Sequence, residues 1–125
     1  MTAKKLVMFD FDGVIADSWC GQVPVFVETL QAHGLHDRAT SAVFRDLMDS
    51  NWFEGLARAG LPDHVVSEME EAWAELTPEL FFGMPEVIER LAGDHVVLVI
   101  TSSATSDVRR ALEASGVRGV ADVMG

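Results

Sequence analysis

Two short apolar runs stand out along an otherwise mixed chain. Lys5-Leu-Val-Met-Phe-Asp-Phe11 and His95-Val-Val-Leu-Val-Ile100 are nearly unbroken and bounded by polar residues or glycine. That pattern marks strands covered on both faces, as inside a parallel sheet. Val120 to Met124 is a weaker third candidate. Between the first two runs the period changes to that of helices. Val23, Phe26, Val27 and Leu30 fall at i, i+3, i+4 and i+7, with Gly34 as a stop and Pro24 best suited to a first turn. Ser41 is a candidate cap for a helix carrying Val43, Phe44, Leu47 and Met48, and Gly60 closes a short helix over Trp52 to Ala59. Asp63 is the candidate cap of a longer helix with Val65, Val66, Met69, Trp73 and Leu76 on one stripe, and Trp52 and Trp73 read as core residues. Pro85 opens a helix that turns Val87, Ile88 and Leu91 inward. Ser103 to Ser115 reads as a last helix with Val108, Ala111 and Leu112 inward and Gly116 after it.

Strands alternating with helices imply an α/β fold, a parallel sheet with right-handed crossovers. The stretch between the first strand and the Pro85 helix is too long for a simple crossover. It reads as a helical insertion over residues 18–82, leaving 1–17 and 83–125 as the α/β core. With 125 residues there is room for little more than one domain of ordinary size.

Charge narrows the function. Nine Lys and Arg against 20 Asp and Glu give a formal net charge of -11, which repels a phosphate backbone and argues against nucleic-acid binding. No apolar run approaches the length of a membrane span. The single cysteine, Cys20, excludes an internal disulfide, and the start of the chain lacks the pattern of a secretion signal, so a cytoplasmic protein is expected. The four histidines show no metal-binding spacing, which argues against zinc.

Candidate chemistry gathers where the strands end, because open parallel sheets bind ligands beyond their carboxyl edge. The first strand ends in Asp10-Phe-Asp-Gly-Val-Ile-Ala-Asp-Ser18, the second in Thr101-Ser-Ser103. In extended chain, residues two apart point the same way, so Asp10 and Asp12 face one site. Two neighbouring carboxylates repel unless a cation joins them, and a hard divalent ion such as Mg2+ suits carboxylate and carbonyl oxygens. Gly13 permits the sharp turn that follows. The Thr101 hydroxyl and the N–H groups of Ser102 and Ser103, running into a helix start, suit an anion. An anion cradle beside paired acids points to phosphoryl transfer. In it, Asp10 attacks phosphorus, while Asp12 protonates the leaving oxygen and later takes a proton from water.

These residues carry a family resemblance. Asp10-Phe-Asp-Gly-Val-Ile-Ala-Asp-Ser18 resembles the first motif of the haloacid dehalogenase (HAD) superfamily, and Val97-Leu-Val-Ile-Thr101-Ser-Ser resembles its second. Gly83-Met-Pro-Glu-Val-Ile-Glu-Arg-Leu91 is similar to the return from cap to core. The position of the insertion matches the small helical cap of the phosphoglycolate phosphatase and β-phosphoglucomutase-like branch. The resemblance implies a HAD-like (Rossmannoid) parallel sheet and a Mg2+-dependent phosphomonoester hydrolase acting on a small phosphorylated metabolite through an aspartyl-phosphate. It further implies Asp10 as nucleophile and metal ligand, and Asp12 as general acid/base and metal ligand. Thr101 and the Ser102 amide hold the phosphoryl group, and Asp17 and Ser18 shape the loop. Two alternatives stand: a sugar phosphomutase of the β-phosphoglucomutase type, which shares all these residues, and a non-catalytic HAD-like binding or assembly module.

The family pattern continues to a lysine and to a later strand ending in paired acids. Here Lys4 and Lys5 are the only lysines, and they sit at the opposite end of the first strand. The family's strand order places a later strand against the free side of the first one. The expectation is a C-terminally truncated member, or half of a site completed by an oligomeric partner or a complementing segment. Weak or absent turnover follows, with Leu6 to Phe9 left unpaired on one side.

Overall fold

A sheet of three parallel strands organises the first of two structural units. The computed structural model describes residues 4–49 and 51–125. β1 (Lys5–Asp10), β2 (His95–Ile100) and β3 (Val120–Met124) lie side by side in chain order. The β1–β2 register runs from Lys5 opposite His95 to Asp10 opposite Ile100. β2 meets β3 with an irregularity between Val97 and Leu98 and ends with Ile100 opposite Met124. These pairings bring the ends of β1 and β2 to one level of the sheet edge.

Two helices connected to these strands, α5 (Met84–Ala92) and α6 (Thr105–Ala114), share one core with one face of the sheet. Ile88 from α5 and Val108, Ala111 and Leu112 from α6 join Val97, Val99 and Val123 in a single buried cluster. Both crossovers step in the same direction across the sheet, so right-handed connections place both helices on the same side. Among the described residues the other face is largely exposed: Leu6 and Met8 are 55% and 57% exposed, and Val96, Ile100 and Met124 are exposed beside them. β1 is therefore not the doubly covered strand its apolar run suggests. No strand among the described residues pairs with its far side.

The helical insert has its own core. Its helices are α1 (Ser18–Ala32), α2 (Ser41–Met48), α3 (Trp52–Ala59) and α4 (Asp63–Ala74), with a 3-10 turn at His36–Arg38. Phe26, Leu30, Phe44, Leu47, Val65 and Met69 are buried together. The Phe44 ring stands edge-on to both Phe26 and Trp73, at centroid distances of 5.4 and 6.1 Å, and Trp73 meets Trp52 at 5.0 Å. Edge-to-face pairing suits the ring quadrupoles.

Several boundaries differ from the periodicity. Pro24 lies inside α1 rather than in its first turn, so the helix loses the bond from that position to the Cys20 carbonyl. Thr40, not Ser41, caps α2 by accepting from the Val43 N–H at 3.2 Å. Asp63 is the first residue of α4, and Pro62 takes the cap position without a side-chain bond. Val87 is 44% exposed, while Ile88 alone of its helix is fully inside. The division between units falls after Trp19 and after Leu76, so residues 77–82 lie with the core rather than with the insert. Their backbone explains it: Asp17 N–H donates to the Glu79 carbonyl at 2.8 Å and Phe81 N–H to the Ile15 carbonyl at 2.9 Å, tying the return segment to the loop after β1.

Candidate active site

The loop after β1 is short and heavily anchored. Phe11, Ile15 and Ala16 are buried in the sheet core, at 2%, 0% and 0% exposure. The Phe11 carbonyl accepts from the N–H groups of Val14, Ile15 and Ala16 at 3.0 to 3.3 Å. Gly13 sits at φ 79 and donates its N–H to the Ala16 carbonyl at 2.9 Å, a left-handed turn that an L side chain would resist. Apolar plugs on both sides of this turn hold Asp10 and Asp12 on a rigid support.

Asp10 is exposed at the strand end, and its Oδ1 accepts from the Phe11 N–H at 2.8 Å. The same N–H also donates to the Ile100 carbonyl at 3.1 Å, so the sheet ladder itself steers the Asp10 carboxylate. Asp12 is half-buried and held at both oxygens. The Ser18 hydroxyl donates to Oδ1 in a short bond, and the Ser103 hydroxyl donates to Oδ2 at 2.8 Å. Ser18 is buried at the start of α1, at 4% exposure. Thr101 is buried at 8%, donates its N–H to the Met124 carbonyl at 3.0 Å, and accepts on Oγ1 from the Ser103 N–H at 2.9 Å.

Thr101, Ser103, Asp12 and Ser18 are thus joined by hydrogen bonds, and Asp10 stands two residues from Asp12. Ser102 is exposed and takes no part in this network. One element of the phosphate cradle needs correction. α6 begins at Thr105, two residues later than its periodicity suggests, and the Ser103 amide is spent on the Thr101 side chain rather than offered to an anion. The Thr101 hydroxyl, as acceptor in that bond, keeps its own hydrogen to donate. Sequence reasoning missed the Ser103 hydroxyl as a partner of Asp12. The hydroxyl-rich run after the second strand was the available signal, but which hydroxyl reaches Asp12 depends on strand register.

The donor set suits a hard cation in part. The Asp10 carboxylate and the Asp12 backbone carbonyl are oxygen donors of the kind Mg2+ takes, and Mg2+ commonly relies on one or two carboxylates plus waters and substrate phosphate. Among the described residues no group of three or more His, Cys, Asp or Glu could hold a metal. Both Asp12 carboxylate oxygens are already engaged by hydroxyls, so its backbone carbonyl and the Asp10 carboxylate are the freer oxygen donors. No helix among the described residues is long and apolar enough to cross a membrane.

The family described as haloacid dehalogenase-like hydrolase matches residues 7–124. Among solved structures, a haloacid dehalogenase-like family hydrolase from Streptococcus pneumoniae is 19% identical with a TM-score of 0.77, over 100% of this chain and 63% of that one. A putative phosphoglycolate phosphatase from Lactobacillus plantarum is 20% identical with a TM-score of 0.72, over 99% and 62%. The putative HAD-hydrolase YfnB from Bacillus subtilis, bound to magnesium, is 13% identical with a TM-score of 0.63, over 98% and 65%. At these identities the likeness is one of fold. The chain spans less than two thirds of the length of these structures. No curated protein matches it in sequence.

Proposed function

The chain belongs to the haloacid dehalogenase-like hydrolase family, and from that premise we propose that it carries the catalytic half of a Mg2+-dependent phosphomonoester hydrolase acting on a small phosphorylated metabolite. The observation that carries this reading is the Asp12 carboxylate, held at both oxygens by Ser18 and Ser103, beside Asp10 and the Thr101 hydroxyl.

Asp10 and the Asp12 carbonyl are the proposed metal donors; the ion, when bound, screens the negative charges that meet in the site. Thr101 and the Ser102 amide grip the phosphoryl oxygens. A carboxylate oxygen of Asp10 attacks phosphorus, and the bond to the leaving oxygen breaks as Asp12 delivers its proton there. Asp12, now ionised, takes a proton from water; the resulting hydroxide attacks phosphorus, inorganic phosphate departs and Asp10 is regenerated. The chain's two lysines, Lys4 and Lys5, stand at the far end of β1, away from this exchange.

The test is p-nitrophenyl phosphate hydrolysis with and without Mg2+. Turnover is expected to need the ion and to vanish in Asp10→Asn. Equal release of p-nitrophenol by wild type and Asp10→Asn ends the proposal.

A further inference from the structure

We infer that Ser103 is a positioning residue for the proton-transferring carboxyl of Asp12, an assignment that rests on the hydrolase reading above. One hydrogen bond fixes a carboxylate at a point and leaves it free to rotate about its Cβ–Cγ bond. Two donors on different oxygens remove that freedom. Here the donors come from opposite ends of the chain: Ser18 on Oδ1 and, 91 residues away from Asp12, Ser103 on Oδ2.

Ser103 is itself well anchored. Its N–H is bonded to Thr101 Oγ1, and Thr101 is tied through its own N–H to the carbonyl of Met124 at the end of β3. Its hydroxyl does not serve the helix behind it, since Ala104 is the cap position of α6 and no side chain bonds there. Holding Asp12 is therefore the hydroxyl's bonded role in the structure. A hydroxyl is also the right kind of holder. It donates to a carboxylate and accepts from a protonated carboxyl without moving its oxygen, whereas a backbone N–H can only donate. Thr101, Ser103 and Asp12 form one bonded unit, in which the group that grips phosphoryl oxygen and the group that protonates the leaving oxygen keep a set spacing.

The experiment compares Ser103→Ala and Ser103→Thr with wild type on two substrates. Glycerol phosphate loses an alkoxide that needs a proton, while p-nitrophenyl phosphate loses a phenolate that leaves unaided. Ser103→Ala should lower kcat on glycerol phosphate by about tenfold to a hundredfold and on p-nitrophenyl phosphate by less than about threefold, with KM little changed. Ser103→Thr should restore the loss. Equal losses on both substrates, or full activity of Ser103→Ala on glycerol phosphate, overturns the assignment. If wild type hydrolyses neither substrate, it is the hydrolase reading that fails for this chain, and a double-mutant cycle of Asp12→Ala with Ser103→Ala in urea unfolding then decides. A coupling factor of about three or more in the unfolding equilibrium constant supports the hold of Ser103 on Asp12; additive effects refute it.

Discussion

Asp122 shows how a single exposed carboxylate can tie a helix to a strand. Its Oδ1 accepts from the Arg109 guanidinium at 2.9 Å and from the Val123 N–H at 2.8 Å, and Arg109 also donates to the Val123 carbonyl at 3.2 Å. The Arg109 hydrogen bond, then the Val123 N–H, hold the Asp122 carboxyl below the usual carboxylate range. A depressed folded-state pKa stabilises the fold above the unfolded-state value, and that contribution disappears as pH falls through the folded-state value. Arg109→Gln should therefore raise the Asp122 pKa in an NMR titration. Its small destabilisation in urea should be present at neutral pH and absent in strong acid; the same loss at both would contradict the assignment.

Elements pack closely where glycine allows it. Gly55 in α3 faces the last turn of α2, and a Cβ built there would collide with the Leu47 carbonyl oxygen and lie 3.0 Å from its carbonyl carbon. Alanine improves a helix by about 1 kcal/mol over glycine. Forcing a methyl against backbone costs about 1 to 3 kcal/mol, since backbone cannot rotate away as a side-chain tip can. The clash should win: Gly55→Ala is expected to destabilise the chain by up to about 2 kcal/mol in urea unfolding, and a stabilised variant would show that α2 and α3 part easily. Periodicity located each α-helix among the described residues, yet it misplaced the starts of α1, α2, α4 and α6. Ser41, Asp63 and Ser103 are all acceptable cap residues by chemistry, but Thr40, Pro62 and Ala104 hold the cap positions. A cap is chosen by where the backbone turns, and neighbouring polar residues look alike until that turn is known. Val87 shares the apolar stripe of α5 yet stays exposed, while Ile88 is buried.

At the scale of the whole molecule, the bare sheet face is the main liability. Leu6, Met8, Val96, Ile100 and Met124 expose apolar surface beside a strand edge that no other described strand pairs with, an arrangement that invites association. The net charge of -11 opposes it. Light scattering should show association that rises with protein concentration and with salt, as screening shortens the reach of that repulsion. Leu6→Thr combined with Met8→Lys should reduce association while shifting the unfolding midpoint little, because both side chains are more than half exposed. Association unchanged by the pair would place the sticky surface elsewhere.

The order of strands and helices and the meeting of Asp10, Asp12 and Thr101 at one sheet edge were determined by the sequence alone. Each follows from local period, from a motif with a required turn at Gly13, and from the general rule that parallel strands end on the binding side. Tertiary structure alone decided that β1 is open on one face and that Ser103 grips Asp12. The Ser18–Asp12 and Ser103–Thr101 bonds are short-range turns, whereas the open face of β1 and the Ser103–Asp12 bond depend on strand register and on the direction of two crossovers. Both are relations between distant parts of the chain, and no local pattern of residues specifies them.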